Sequence, residues 1–205
     1  MNHIGLDFDN TLIDYDLLFY KLAVELKLIP IVTQKSKLGV RDYLIKAGRE
    51  KSFTKLQGEV YGKKIEFAEA SKGVIEALQE LKEKGFKFSI VSHKTKFPII
   101  GEKINLHLCA LDWLKNNKFL DKNGLNIQRE DIYFEPTKEK KIKRINYLNC
   151  DYYIDDLEEI LLELNERICK IHYNKNANID KSNNDLYLLN DWNKLNSSGI
   201  LNELL

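Results

Sequence analysis

Short apolar runs, each closed by a polar or acidic residue and separated from the next by a helix-length amphipathic stretch, recur between residues 3 and 189. Residues 3–8 read as a buried strand that ends in Asp7 and Asp9. Residues 71–84 set Val74, Ala77, Leu78 and Leu81 on one helical stripe, with Ser71 as a candidate cap and Gly85 as the stop. "FKFSIV" at 86–91 is then a second strand, closed by Ser92-His93-Lys94-Thr95. Residues 132–134 and 152–154 continue the pattern, followed by Pro136-Thr137-Lys138 and by Asp155-Asp156, and 168–173 and 186–189 are candidate fifth and sixth strands. Helical spacing covers 14–28, 38–47, 101–115, a basic stretch from Lys138 to about 148, and 157–166. Gly58 and Gly62 weaken the pattern over 53–69, residues 174–184 read as a polar loop, and a short helix is expected after Trp192. Strand alternating with helix predicts an α/β fold, a Rossmann-like parallel sheet with helices on both faces.

Composition narrows the partners. Basic residues number 32 and acidic residues 31, a net charge of +1, which argues against nucleic acid as a partner. The 3 cysteines, Cys109, Cys150 and Cys169, lie far apart without metal-ligand spacing and read as reduced thiols. No signal peptide is visible and no apolar run approaches the ~18 residues of a membrane span, so a cytoplasmic location without membrane contact is expected.

In parallel sheets the ligand sits beyond the carboxyl ends of the strands. Four such ends carry Asp7 and Asp9, Ser92, Lys138, and Asp155 and Asp156. Four carboxylates at one place repel one another unless a cation joins them, and oxygen donors of this kind suit Mg²⁺. Ser92 and the N–H groups that follow it can donate to phosphate oxygens. Nucleophile, cation sites and donors together make a set suited to phosphoryl transfer.

The ordered set resembles the haloacid dehalogenase-like (HAD) superfamily of aspartate-nucleophile phosphohydrolases. Asp7-Phe8-Asp9-Asn10-Thr11 matches the first motif, Ser92 in "SIVSHKT" the second, a lysine in "TKEKKIKRI" the third, and "YYIDD" the fourth. Lys138 is the preferred lysine, because it leaves Ile142 and Ile145 on the buried side, with Lys140 and Lys141 as rivals. The resemblance implies that Asp7 attacks phosphorus and forms an aspartyl-phosphate, that Asp9 serves as acid and then base, and that Lys138 neutralises the phosphoryl oxygens. It implies Mg²⁺ held by Asp7, the Asp9 carbonyl, Asp155 and Asp156, with the division between the last two open and Glu159 as a candidate substitute for a later acid. Thr11, Ser92 and His93 stand on the substrate side in this reading, Thr11 by ordering its loop. His3, His107 and His172 read as structural, and Trp113 and Trp192 as packing residues.

Residues 14–65 separate the first motif from the next core helix and suit a small helical cap on a core of 1–13 and 66–205. Between Pro30 and Ile65 there are 9 Lys/Arg and 3 acids, among which Arg41, Lys37, Arg49 and Lys51 could meet an anionic substrate. The expected activity is a Mg²⁺-dependent phosphatase for a small phosphorylated metabolite, namely a sugar, polyol or amino-alcohol phosphate, by likeness to small phosphatases of surface-polysaccharide precursor pathways. A phosphomutase on the same fold, a polynucleotide end phosphatase and a non-enzymatic aspartate-phosphorylation switch are the alternatives. The switch places its metal-binding acids before its phosphorylated aspartate, the reverse of the order here.

Overall fold

The computed structural model describes residues 2–177 and 186–196. In chain order the elements are β1 (His3–Leu6), β2 (Ile13–Asp14), α1 (Asp16–Glu25), α2 (Lys37–Lys46), α3 (Glu50–Tyr61), β3 (Glu69–Ala70), α4 (Val74–Glu83) and β4 (Lys87–His93). They continue with α5 (Leu106–Asn116), β5 (Ile132–Glu135), α6 (Lys138–Leu148), β6 (Tyr152–Asp155), α7 (Glu158–Leu162), β7 (Cys169–Tyr173) and β8 (Tyr187–Leu189). Six strands form one parallel sheet in the order β5-β4-β1-β6-β7-β8. This is the expected α/β architecture.

Alternation along the strands feeds two cores. Ile90 and Ile154 enter the larger one, which runs into α1 to α5, while their neighbours Val91 and Tyr153 point to the other face and pack with Ile145, Ile160 and Leu161 of α6 and α7. Gly5 is where the second face needs space: a Cβ there would stand 2.5 Å from the Tyr153 ring. That ring lies over β1, and its hydroxyl donates to the Val91 carbonyl at 2.6 Å.

The strand order reverses beside β1. From β1 the chain moves outward to β4 and β5, then returns to lay β6 against the other side of β1. A parallel sheet opens a crevice at such a reversal, beyond the carboxyl ends of the two strands, and Asp7 and Asp155-Asp156 stand there.

Helices α1 to α3 form an insertion between β2 and β3. Those two short strands pair antiparallel, Ile13 with Ala70 and Asp14 with Glu69, which ties the entry and exit of the insertion together. The insertion has an aromatic interior, with Phe19 stacked on Phe53 at 5.8 Å and Tyr15 edge-on to Tyr61 at 5.0 Å.

Several boundaries differ from expectation. Helix α5 starts at Leu106, not at residue 101, because Pro98 and the left-handed Gly101 (φ +117°) break the chain before Asn105 caps it. Ser71 does not cap α4 with its side chain; its carbonyl accepts from Val74 N and the left-handed Gly73 starts the helix. Helix α3 runs through Gly58 unbroken, and the glycine lets Pro98 and Ile100 close on it: a Cβ there would meet them at 3.0 and 2.9 Å. Helix α7 stops at Leu162, short of residue 166. After Trp192 there is a single turn, Trp192–Lys194, and the rest of the expected terminal helix lies outside the described residues, as does most of the polar stretch 174–184. No helix among the described residues is long and apolar enough to cross a membrane.

Candidate active site

Asp7 follows the last residue of β1 and keeps its backbone in the ladder, donating to the Ile154 carbonyl at 2.9 Å. The chain then reverses. Asn10 takes a left-handed φ of +62°, and the N–H groups of Leu12 and Ile13 fold back onto the Phe8 carbonyl. This turn returns Thr11 beneath Asp7, so that its hydroxyl donates to Asp7 Oδ2 at 3.3 Å. The other Asp7 oxygen meets Lys141 Nζ at 2.6 Å, and the same ammonium reaches Asp155 Oδ2 at 2.6 Å. All three side chains are buried.

Asp155 ends β6 and also accepts from Leu157 N at 2.9 Å, while Asp156 accepts from Asn10 Nδ2 at 3.2 Å. Asp7, Asp155 and Asp156 each present an oxygen within 4.8 Å of the others. Burial first, and then the charge of Asp7, raises the pKa of both Asp155 and Asp156 above the usual carboxylate range. Burial works against the Lys141 ammonium, but Asp7 and Asp155 outweigh it and hold its pKa above the ordinary lysine value. One ammonium among three carboxylates, two buried and Asp156 half-buried, leaves the cluster short of positive charge. The donor set, all hard oxygen, fits a divalent cation such as Mg²⁺.

Asp9 lies apart from this cluster. Its carboxylate takes Lys94 Nζ at 2.9 and 3.0 Å on its two oxygens and the Tyr15 hydroxyl at 2.8 Å. Lys94 is a buried lysine, held from three sides. Its N–H extends the β4–β5 pairing to the Glu135 carbonyl, its carbonyl accepts from His107 Nε2, and its ammonium sits 5.3 Å from the Phe8 ring centre and 4.8 Å from that of Tyr61.

A cavity of about 290 Å³ opens on these groups. Asp7, Asp9, Asp156, Ser92, Lys94 and Lys141 line its sheet side; Lys37 from α2 and Thr54, Gln57, Gly58 and Tyr61 from α3 line the opposite wall. His93 also borders it.

Several assignments made from sequence change. Lys138 is not the lysine at the carboxylates: it is exposed at the first turn of α6, paired with Glu159, while Lys141 one turn on shares the buried face with Ile145. The same pair gives Glu159 a surface partner in place of a metal. Arg41 is exposed on α2 and lines no part of the cavity; Lys37, four residues earlier, does. Arg49 is exposed as well and donates to the Leu28 carbonyl, and Lys51 is exposed. Thr11 touches Asp7 and not the cavity. Asp9, for which only the carbonyl was expected at the metal, keeps its side chain on Lys94, outside the three-carboxylate cluster. Lys94 was missed, although period-2 alternation past Ser92 would have put both on one side of an extended segment.

Chains of known structure share this whole architecture. A predicted phosphatase from Clostridium acetobutylicum aligns over 98% of both chains with a TM-score of 0.63 at 16% identity. The chain has the haloacid dehalogenase-like fold. A HAD-superfamily hydrolase from Ehrlichia chaffeensis covers 100% of both chains at TM-score 0.56 and 16% identity. A phosphoserine phosphohydrolase-like protein from Francisella tularensis covers 97% of this chain and 99% of its own at TM-score 0.53 and 18% identity. No protein-family model matches the sequence, and no curated protein is significantly similar to it. Identities this low carry the HAD-like fold and leave the chemistry to the residues.

Proposed function

We propose that the protein is a Mg²⁺-dependent phosphomonoesterase that works through an aspartyl-phosphate on Asp7. The observation that carries this reading is the separation of two carboxylates on one loop: Asp7 faces Lys141 and the acidic cluster, while Asp9 is held by Lys94 and Tyr15. Environments that differ this much suit different roles.

In the first step an Asp7 oxygen attacks phosphorus and the ester oxygen leaves with a proton from Asp9, whose resulting carboxylate is held by the Lys94 ammonium and the Tyr15 hydroxyl. In the second, Asp9 takes a proton from water, whose oxygen attacks the phosphorus and releases phosphate and free Asp7. Lys141 draws charge from the phosphoryl oxygens, and Ser92 donates to them. Asp7, Asp155 and Asp156 would hold the metal, which when bound neutralises charge on the phosphoryl group. Helices α1 to α3 act as a cap that excludes water and limits substrate size. A cavity of about 290 Å³ suits a sugar-, polyol- or amino-alcohol-sized ester.

Phosphate release from a panel of phosphorylated metabolites, with Mg²⁺ and after chelation, tests this. Chelation is expected to lower turnover by at least about 100-fold, restored by Mg²⁺. No release from any phosphomonoester, or full activity in chelator, would contradict it. Lys94→Met is expected to slow alkyl phosphates by about 100-fold and p-nitrophenyl phosphate by less than about tenfold, because only the poor leaving group needs the proton of a well-placed Asp9. Equal losses on both esters would show that Lys94 does not serve Asp9.

A further inference from the structure

The charges around the cavity are unevenly placed. Four carboxylates, Asp7, Asp9, Asp155 and Asp156, gather at the strand ends with Lys141, Lys94 and Lys37. A divalent cation would bring this group to a small net positive charge, matched to one phosphate dianion. The rest of the lining comes from Asn10, Ser92 and His93 beside the strand ends, and from α3 and residues 95–99, closed by Leu106 and Leu157. There Thr54, Gln57 and Thr95 stand beside Pro98 and Ile99, and these five carry no carboxylate, ammonium or guanidinium group; Lys37, on the same side of the cavity, stands at its Tyr61 end, 5.7 Å from that ring centre. The Thr54 and Thr95 hydroxyls are already committed to the Glu50 and Phe97 carbonyls. The Gln57 amide borders the cavity and makes no hydrogen bond among the described residues. Gly58, the next residue, lets the 98–100 segment close against α3 and fixes this wall over the strand ends.

We propose that the substrate's leaving group is an uncharged, hydroxyl-bearing alcohol whose hydroxyl is read by the Gln57 amide, and that this wall selects against phosphomonoesters carrying a second charge. The inference rests on reading the cavity as a phosphomonoesterase site and sharpens it to a substrate class. A second carboxylate or ammonium on the substrate would lose its water against this stretch and find no counter-ion among Thr54, Gln57, Thr95, Pro98 and Ile99, whereas a hydroxyl exchanges water for a free amide that offers both donor and acceptor. Charge at the phosphoryl end gives no such selectivity, since every phosphomonoester presents the same dianion there.

The test is kcat/KM with Mg²⁺ for two matched pairs, all at one pH. The first pair is glycerol 3-phosphate and 3-phosphoglycerate, which differ by a hydroxymethyl against a carboxylate. The second is 2-hydroxyethyl phosphate and phosphoethanolamine. The hydroxyl member of each pair is expected to be favoured by at least about tenfold, and Gln57→Lys is expected to bring the first ratio close to unity. Equal or better use of a charged member by the unaltered enzyme would overturn the proposal, as would a ratio that Gln57→Lys leaves unchanged. Inertness of all four esters and of p-nitrophenyl phosphate would instead overturn the phosphomonoesterase reading itself, and this proposal with it.

Discussion

Asp7→Asn is expected to abolish turnover, by at least about 10⁴-fold, while the protein stays folded. An amide is nearly the same size as a carboxylate. Its oxygen can still accept from Lys141, and its NH₂ can face the Thr11 hydroxyl, so both hydrogen bonds of the buried side chain survive. What disappears is the nucleophile. The change also removes one of three clustered carboxylates, which relieves repulsion in metal-free protein. A melting temperature equal to or above that of the unaltered chain, read by circular dichroism, is therefore expected beside the loss of activity. Substantial steady-state turnover by a homogeneous Asp7→Asn preparation would refute Asp7 as nucleophile.

Lys141→Met should damage both activity and stability. The ammonium is bonded to two buried carboxylates, with 2% of its side chain exposed, and methionine fills its volume without its charge. Removing one partner of such a group leaves the others uncompensated, a loss of about 3–5 kcal/mol. Urea unfolding is expected to show that loss in metal-free protein, with part of it restored by Mg²⁺. Lys138→Met is the contrasting case. Its salt bridge with Glu159 is exposed, so its removal is expected to change stability by less than about 1 kcal/mol and to leave turnover intact. The opposite ranking of the two lysines would overturn the placement of Lys141 at the reacting group.

The contrast between these lysines shows what the sequence could reveal. The strands were legible because both faces of a parallel sheet are buried, so "FKFSIV" and "YYID" stand out as apolar runs. Asp7, Asp9, Ser92 and Asp156 were legible because each follows or closes such a run at a known end of the sheet. The lysine was not, because a charged residue on a buried helical stripe looks like an error in the pattern. Ile142 and Ile145 suggested one stripe, and the true buried face runs through Lys141 and Ile145, at i and i+4. Lys94 was hidden, and Lys37 stood undistinguished among four candidate cations, for another reason. Both owe their positions to tertiary packing: Lys94 lies between Asp9 and the rings of Phe8 and Tyr61, and Lys37 reaches the cavity from a helix far away in sequence. The cationic excess of the insertion pointed to its role near an anion and offered Lys37 beside Arg41, Arg49 and Lys51, without showing that the other three are exposed.

The covalent state of Asp7 during turnover tests the account most directly. The protein would be mixed with a phosphomonoester that it hydrolyses and Mg²⁺, quenched in acid within the first turnovers, reduced with borohydride and mapped by mass spectrometry. Conversion of Asp7 to homoserine, dependent on substrate and absent from Asp9 and Asp156, is the predicted result, because only an acyl phosphate on that side chain is reduced in this way. Rapid phosphate release with Asp7 left as aspartate at every quench time, or homoserine at another residue, would contradict it.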